Sequence, residues 1–576
     1  MKRAISYFIS SAAILALLWF ASCTPSNHKP PFFVKLRTYT ITVPPWRKDV
    51  KRLDFAKALA AWYAQNPQFK STMNGGLPFK PERSFYMPAS GGHQYTVRMT
   101  DETADALRQT FRVNGFGVIV HPSRVYRPTV AAASIAAAQV TDTSAPLSTT
   151  WAAMTVVPSA VTSANVRVPR LYVVDSGVQP IVPGVTSGTH QWHPEFAGFE
   201  NENDRVELLQ GRLANVSLSK SWQHPLDADY PVDPTAAAPW NLQADSMLVW
   251  ANQPKPLPLA SYSSIYLDPQ RDPRKHGTLL TSCAVGENVG VLGRVVGAKA
   301  LVESIRTYPN GSTAKASTAA MTEGVYEALD AHLAAPSGTK SVLMFASRTE
   351  DGFDPSLEVA LWWAWKKGMV CVVSAGNEPD PYASGLYEPN PQWFPAANQA
   401  QPNSPSRFDW NVGKTPEGRA YWESLGYKDP YDDSITVPDD NYLIMVGAHS
   451  AVKSSSTPPS TGDDWAPTAS RGPGVDVLAP ARDVPSANTT TRGLLYADGA
   501  SLATGFVAGV ALAYLSSVPE AQTTPMAFRS WLLPEHTPGS SDPIRLSVNA
   551  NARQGHSLPS IYGNKMPVLQ LKDLPD

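Results

Sequence analysis

Apolar and polar residues follow two different rhythms in the two halves of the chain. Residues 38–43 (TYTITV) alternate and predict a half-buried strand. Residues 53–64 (LDFAKALAAWYA) space their apolar side chains as a helix does. Residues 95–99 predict a second strand. Residues 100–111 predict a helix with Thr100 as N-cap and Glu102 and Asp105 in its first turns, and residues 116–121 a third strand. Together these describe a small α+β unit over residues 35–126, the size of one domain. Residues 127–154 then lose any stripe. They are rich in Ala, Ser and Thr, which predicts a linker.

From residue 155 to about 548 the chain alternates buried-type strands and helices. The strands are continuous apolar runs at 171–174 (LYVV), 341–345 (SVLMF), 369–373 (MVCVV) and 442–446 (YLIMV). Such runs suit a parallel sheet covered on both faces. Helical spacing at 321–333 and 357–367 supplies the cover. The fold class expected is therefore α/β, a doubly wound and mostly parallel sheet with helices on both faces. Two proline-rich stretches, 201–272 and 398–440, are too long and polar for ordinary connections and read as surface insertions. Residues 549–576 form a tail, and no internal repeat is visible.

Composition narrows the class of function. The chain has 576 residues, 43% apolar and 17% charged, which excludes a broadly unfolded chain or a coiled coil. Its 53 prolines argue against a helical bundle. Net charge is −1, so nucleic acid is not an expected partner. Three cysteines cannot build a disulfide framework or a cysteine-rich metal site. Cys283 and Cys371 fall on a core helix face and a core strand, as buried structural thiols do. No apolar run after residue 25 is long enough to span a bilayer.

The N-terminus carries an address. Lys2 and Arg3 precede an apolar run over residues 5–21 that ends in small residues, the pattern of an export signal over residues 1–23. Cys23 at that point resembles the acylated cysteine of a bacterial lipoprotein, although Phe20 stands where Leu is usual. The expected location is outside a membrane, either lipid-anchored at Cys23 or released by simple signal cleavage.

Four short stretches carry chemistry, each at a strand or helix end. Asp175 closes the apolar strand 171–174 and is followed by Ser176 and Gly177. His276 opens a helical run at what reads as its exposed start. Asn377 follows the strand 369–373, after Ser374, Ala375 and Gly376. Ser501 begins a long apolar helix, where a hydroxyl is either a cap or a nucleophile met by backbone N–H groups. Taken singly, each has a bland reading as a turn, surface or capping residue.

Taken in order, Asp175-Ser176-Gly177, His276-Gly277-Thr278, Ala375-Gly376-Asn377 and Gly499-Ala500-Ser501-Leu502-Ala503-Thr504 resemble the motifs of the subtilisin-like serine proteases, the subtilases. His193-Pro194-Glu195-Phe196, Phe394-Pro395-Ala396 and Val475-Asp476-Val477-Leu478-Ala479-Pro480 add to the resemblance, which covers residues 168–533. It implies a triad of Asp175, His276 and Ser501, an oxyanion site at Asn377, and substrate pairing along Phe345, Ala346, Ser347, Ser374, Ala375 and Gly376. It implies a polypeptide substrate and no cofactor for the chemistry. Structural calcium occurs in many members, but no stretch here shows an acidic pattern that assigns it. The small unit resembles the family's inhibitory propeptide, a ferredoxin-like α+β domain, which implies an exported endopeptidase made as a zymogen with its own propeptide as partner. Departures from the family pattern stand at Leu279, Ala500, Leu502, Gly505 and Phe506, none of them a triad or oxyanion position. Ser347-Arg348-Thr349 stands where glycines are usual. The span from Asp175 to His276 is long for the family, and the insertion 201–272 accounts for it. The alternative is a catalytically silent binding or scaffold protein on the same fold.

His190, His193 and Glu195 have a spacing that suits a metal, but the second of them lies in the family's turn, and no metal site is assigned. Gly286, Gly290 and Gly293 lack the Lys-Ser/Thr that a phosphate loop needs.

Overall fold

In the computed structural model of the full chain, the structure describes residues 36–45, 58–72, 83–113, 118–128, 139–140, 167–183, 190–199, 206–208, 272–308, 315–349, 354–377, 443–450, 464–465 and 476–533, apart from a few single positions and pairs within them. Cys23, the tail 549–576, the insertion 398–440 and nearly all of 201–271 lie outside the described residues.

The small unit holds four antiparallel strands where the periodicity predicts three. They are β1 (Arg37–Val43), β2 (Arg83–Met87), β3 (Gly92–Met99) and β4 (Ile119–Pro122), in the order β2-β3-β1-β4. Helix α1 (Asp101–Val113) starts as expected, with Thr100 Oγ1 accepting from the N–H of Thr103 at 3.1 Å. Residues 58–59 and 61–63 are helical and place Leu59, Trp62 and Tyr63 in a core of their own with Tyr39, Ile41 and Leu107. β2 escapes the sequence reading because its five residues, RSFYM, are too few and too mixed to show a period.

The large unit is built on an eight-stranded sheet. Its strands are β7 (Arg170–Asp175), β10 (Val206–Leu208), β11 (Ala300–Arg306), β13 (Ser341–Phe345), β15 (Met369–Ser374), β16 (Leu443–Ser450), β17 (Asp464–Trp465) and β18 (Val477–Pro480), ordered β10-β11-β7-β13-β15-β16 with β17 and β18 both on β16. Every pairing is parallel except that of β16 with β17. Strands β7, β13, β15 and β18 are buried along their full lengths, as their unbroken apolar runs require. Helices α2 (His276–Val285), α3 (Thr318–Leu333), α4 (Pro355–Lys366), α5 (Ala500–Ser517) and α6 (Pro525–Leu532) pack around the sheet. All 18 residues of α5 are buried. By length and composition α5 could cross a membrane, contrary to the reading of the sequence, yet it lies wholly inside the protein as its central core helix.

Smaller pieces complete the framework. The hairpin β8 (Ile181–Pro183) and β9 (His190–Trp192) follows β7. Strand β19 (Val484–Ala487) pairs with β20 (Leu494–Ala497), which also pairs with β6 (Gln139–Val140). Strand β5 (Val125–Pro128) lies between β12 (Ala316–Ser317) and β14 (Ser347–Thr349), antiparallel to both. The stretch read as a linker thus contributes paired strands to the large unit at both Arg127–Pro128 and Gln139–Val140. Neither strand has an apolar period, because their order comes from backbone pairing with distant segments.

The two units share a face. Phe85, Met87 and Ile119 of the small sheet join the large core. Thr42 Oγ1 and Ser356 Oγ lie 2.6 Å apart, the N–H of Ser90 donates to Asp330 Oδ1 at 2.7 Å, and Trp363 Nε1 donates to the carbonyl of Ser90 at 2.8 Å.

Candidate active site

The chain enters the large sheet at β7, passes to β10 and β11 on one side and returns to β13 on the other. Ligand sites in such sheets lie beyond the carboxyl ends of the strands where the order reverses. Asp175 ends β7 at that point. Ala346 follows β13 and Asn377 follows β15, so three strand ends converge there.

Two helices complete the site. α2 and α5 meet along their backbones, because a Cβ at Gly505 would stand 2.2 Å from the carbonyl oxygen of Leu280. That approach sets the first residues of the two helices side by side. His276 Nε2 lies 2.8 Å from Ser501 Oγ, and His276 Nδ1 lies 2.7 Å from Asp175 Oδ1. A carboxylate can only accept, so Nδ1 carries the proton and Nε2 is free to receive one from Ser501. The N–H of Ser176 donates to Asp175 Oδ1 at 2.6 Å and fixes the carboxylate. His276 is 2% exposed, not at an exposed helix start as its position in the sequence suggests. All ten residues of α2 are buried, since that helix is sandwiched rather than laid on a surface.

Asn377 is held by the helix that carries Ser501. No side chain of its own caps α5, and Asn377 Oδ1 takes that place by accepting from the N–H of Ala500 at 2.6 Å. The amide nitrogen is thereby directed away, and Asn377 Nδ2 is buried with no hydrogen-bond partner among the described residues. Gly376, at φ 100°, supplies the left-handed turn that delivers Asn377 after the strand. A buried donor with no partner among the described residues, beside a hydroxyl that meets an imidazole, is an arrangement able to receive a developing oxyanion and one that a purely structural site avoids.

The remaining substrate-binding expectations divide. Ala346 presents its carbonyl oxygen 3.5 Å from Ser501 Oγ, and Phe345 is buried in the large core, with its ring edge-on to that of Tyr126. Ser347 begins the strand that pairs with β5, while its hydroxyl accepts from Tyr308 Oη at 2.8 Å. Ser374, Ala375 and Gly376 are buried beside Asn377, with the Gly376 N–H on Ser374 Oγ at 3.3 Å and the Ala375 N–H on the Val446 carbonyl at 2.9 Å. They do not pair with β5.

Over residues 173–564 the chain matches the model of the subtilase family. The chain belongs to the subtilase family. This is a family of serine proteases, whose substrates are polypeptides. Among solved structures, a cold-adapted subtilisin-like serine proteinase is similar at 18% identity over 51% of this chain and 74% of that chain, with a TM-score of 0.31. Comparison with curated proteins gave no match.

One residue of this subtilase site was missed. Asp272, assigned from the sequence to the end of a surface insertion, is 2% exposed. Its Oδ1 accepts from Ser176 Oγ at 2.7 Å and the Arg274 N–H at 3.2 Å; its Oδ2 accepts from the N–H and Oγ1 of Thr278, both at 2.8 Å. It thereby ties the residue after Asp175 to the residue two after His276. Burial raises its pKa, opposed by those hydrogen bonds. The signal available was an Asp four residues before the candidate His, but a proline-rich context hid it.

Other candidates are explained structurally. His193 Nε2 donates to the Gly493 carbonyl at 2.8 Å, and Glu195 accepts from Asn288 Nδ2 and from the N–H groups of Asn288 and Val289. Cys283 and Cys371 are buried free thiols, and burial pushes the first up to about 12.

Proposed function

We propose that the protein is an exported serine endopeptidase made as a precursor. The observation that carries the reading is the buried line from Asp175 through His276 to Ser501, with Asn377 Nδ2 beside it, buried and without a partner among the described residues. Ser501 Oγ attacks a peptide carbonyl carbon and gives its proton to His276 Nε2. Asp175 holds the imidazole in the Nδ1–H tautomer and stabilises the imidazolium. Asn377 Nδ2 and a backbone N–H at the start of α5 receive the oxyanion. The tetrahedral intermediate collapses with loss of the amine, which takes the proton from His276. Water, deprotonated by the same imidazole, then releases the acyl group. This chemistry requires no cofactor.

The small unit acts as the propeptide in this reading. Support comes from β5, an extended segment of the chain's own N-terminal half lying between two strands of the cleft, as a substrate would. Pro128 pairs with Ser347, and the preceding Ala346 lies at Ser501. A peptide continuing in that register reaches the nucleophile shortly after the residue paired with Ser347, so self-cleavage is expected within residues 127–150 and near the start of that stretch. The N-terminal address supports export, with Cys23 as the candidate lipid anchor.

A fluorophosphonate probe tests the reading directly. Wild-type protein is expected to be labelled and to run as a shortened chain, whereas Ser501→Ala is unlabelled and accumulates uncut. Absence of labelling in correctly folded wild type would establish the silent-scaffold alternative.

A further inference from the structure

Strand β5 sends one side chain into the interior of the large unit. Tyr126 is fully buried, and its ring meets Phe345 edge-on with centroids 6.3 Å apart. Its hydroxyl donates to Asp354 Oδ2 at 2.7 Å. Thr318 Oγ1 donates to the same oxygen at 2.6 Å. Asp354 Oδ1 is spent on the N-terminus of α4, accepting from the N–H groups of Ser356 and Leu357 at 3.0 and 3.1 Å. The backbone of Tyr126 pairs with Ala316 on one side and Thr349 on the other. The pocket therefore has an aromatic wall and a carboxylate floor at the depth of a phenol oxygen.

On the reading that the cleft accepts extended polypeptides, we propose that this pocket selects tyrosine and that Asp354 is its specificity-determining residue. The preferred substrates carry Tyr at the position that pairs with Ala316 and Thr349, a few residues before the bond that is cut. Phenylalanine fills the same volume but turns a ring edge toward a buried carboxylate oxygen and leaves it with one donor, Thr318 Oγ1, in place of two. A site built to bind a hydroxyl discriminates strongly against the analogue that lacks it. Leucine is too short to meet Phe345 and the floor together. Burial, with the charge of Asp354 beside it, raises the Tyr126 pKa well above that of a free phenol, so the hydroxyl stays a donor. Asp354 serves both roles at once, because helix capping uses Oδ1, while Oδ2 accepts from Thr318 Oγ1 and has room for a second donor from the cleft.

The test uses full-length protein allowed to mature, its active sites counted with the fluorophosphonate. Two peptide amides differing only in Tyr or Phe at that position are compared by kcat/KM. Tyr is expected to win by at least ~30-fold, a floor below the factors seen for sites built around a hydroxyl. Asp354→Ser retains a good helix cap but removes the second oxygen, and is expected to bring the pair within about threefold. Labelled enzyme that cuts both peptides equally, or that prefers Lys or Arg there, overturns the pocket assignment and leaves the endopeptidase reading standing. A second measurement needs no turnover. In uncut Ser501→Ala chain, Tyr126→Phe is expected to speed hydrogen exchange of the Val125–Arg127 amides at least tenfold. Unchanged exchange overturns the proposal even if the protein proves catalytically silent or Asp354→Ser fails to fold.

Discussion

At the scale of single residues, function turns on which polar atoms are paired and which are left open. Asn377 spends its oxygen on α5, and its nitrogen has no partner among the described residues. A donor used only in the transition state affects turnover rather than binding. Asn377→Leu is therefore expected to lower kcat by ~100- to 1,000-fold with KM nearly unchanged, as steady-state kinetics would read. Asp272 is the opposite case, since four donors point at its two oxygens. An amide in its place sets an N–H₂ against donors. Asp272→Asn is expected to cost ~2–3 kcal/mol, measured by denaturant unfolding, with Asp272→Ala no better. Wild-type stability in the Asn variant would mean that water replaces those bonds freely.

At the scale of elements, the site depends on how closely two helices approach. Ser501 and His276 each stand in the first turn of a helix, and Gly505 lets those helices touch. Gly505→Ala inserts a methyl group 2.2 Å from the Leu280 carbonyl, where neither backbone can yield cheaply. The expected cost is ~1–3 kcal/mol of stability, as for other overpacked interiors. Turnover should fall by more than stability explains, because parting the helices lengthens the His276–Ser501 contact. Thermal melts and kcat on the same preparation separate the two effects. The turn into α2 is strained as well: Lys275 sits at φ 65°, a left-handed conformation that a non-glycine residue adopts at a cost.

At the scale of the whole molecule, the two units are joined through a chain of hydroxyls. Gln94 Nε2 donates to Thr42 Oγ1 at 3.0 Å, Thr42 and Ser356 lie 2.6 Å apart, and Ser356 Oγ lies 2.7 Å from His121 Nε2. His121 Nδ1 donates to the Pro122 carbonyl, and burial keeps the ring neutral near pH 7, so Nε2 accepts from Ser356 Oγ. Burial pushes the His121 pKa down to about 4; Asp354 opposes that shift, while Arg124 and Arg108 add to it. The released ring, with an ordinary pKa near 6.5, binds a proton that the docked ring refuses. Docking is therefore unaffected above about pH 6.5 and weakens as pH falls from there toward 4, by up to ~3 kcal/mol. In uncut Ser501→Ala protein, the loss of melting temperature between pH 7 and pH 4.5 should be smaller in His121→Gln. Some slope will remain, because burial also pushes His193 down to about 4. An equal slope in both proteins would rule out His121 as the group responsible.

The sequence by itself determined the parts whose cause is local. Unbroken apolar runs marked β7, β13, β15 and β16 because a strand covered on both faces has no polar side to show. Asp175, His276, Asn377 and Ser501 were legible because each sits where a periodic segment starts or stops, in an order that matched a known family. Tertiary structure alone decided what depends on partners far away in the chain. Arg127 and Pro128 of strand β5 look like the start of a linker until Arg348 and Ser347, about 220 residues further on, pair with them. Asp272 looks like part of an insertion until Ser176 and Thr278 close over it. Helix α5 reads from the sequence only as a long apolar helix, and its complete burial at the centre of the large unit is visible only in the structure. Side-chain periodicity reports which face of a segment is buried, but not which segment buries it, and backbone pairing leaves no trace in side-chain pattern at all.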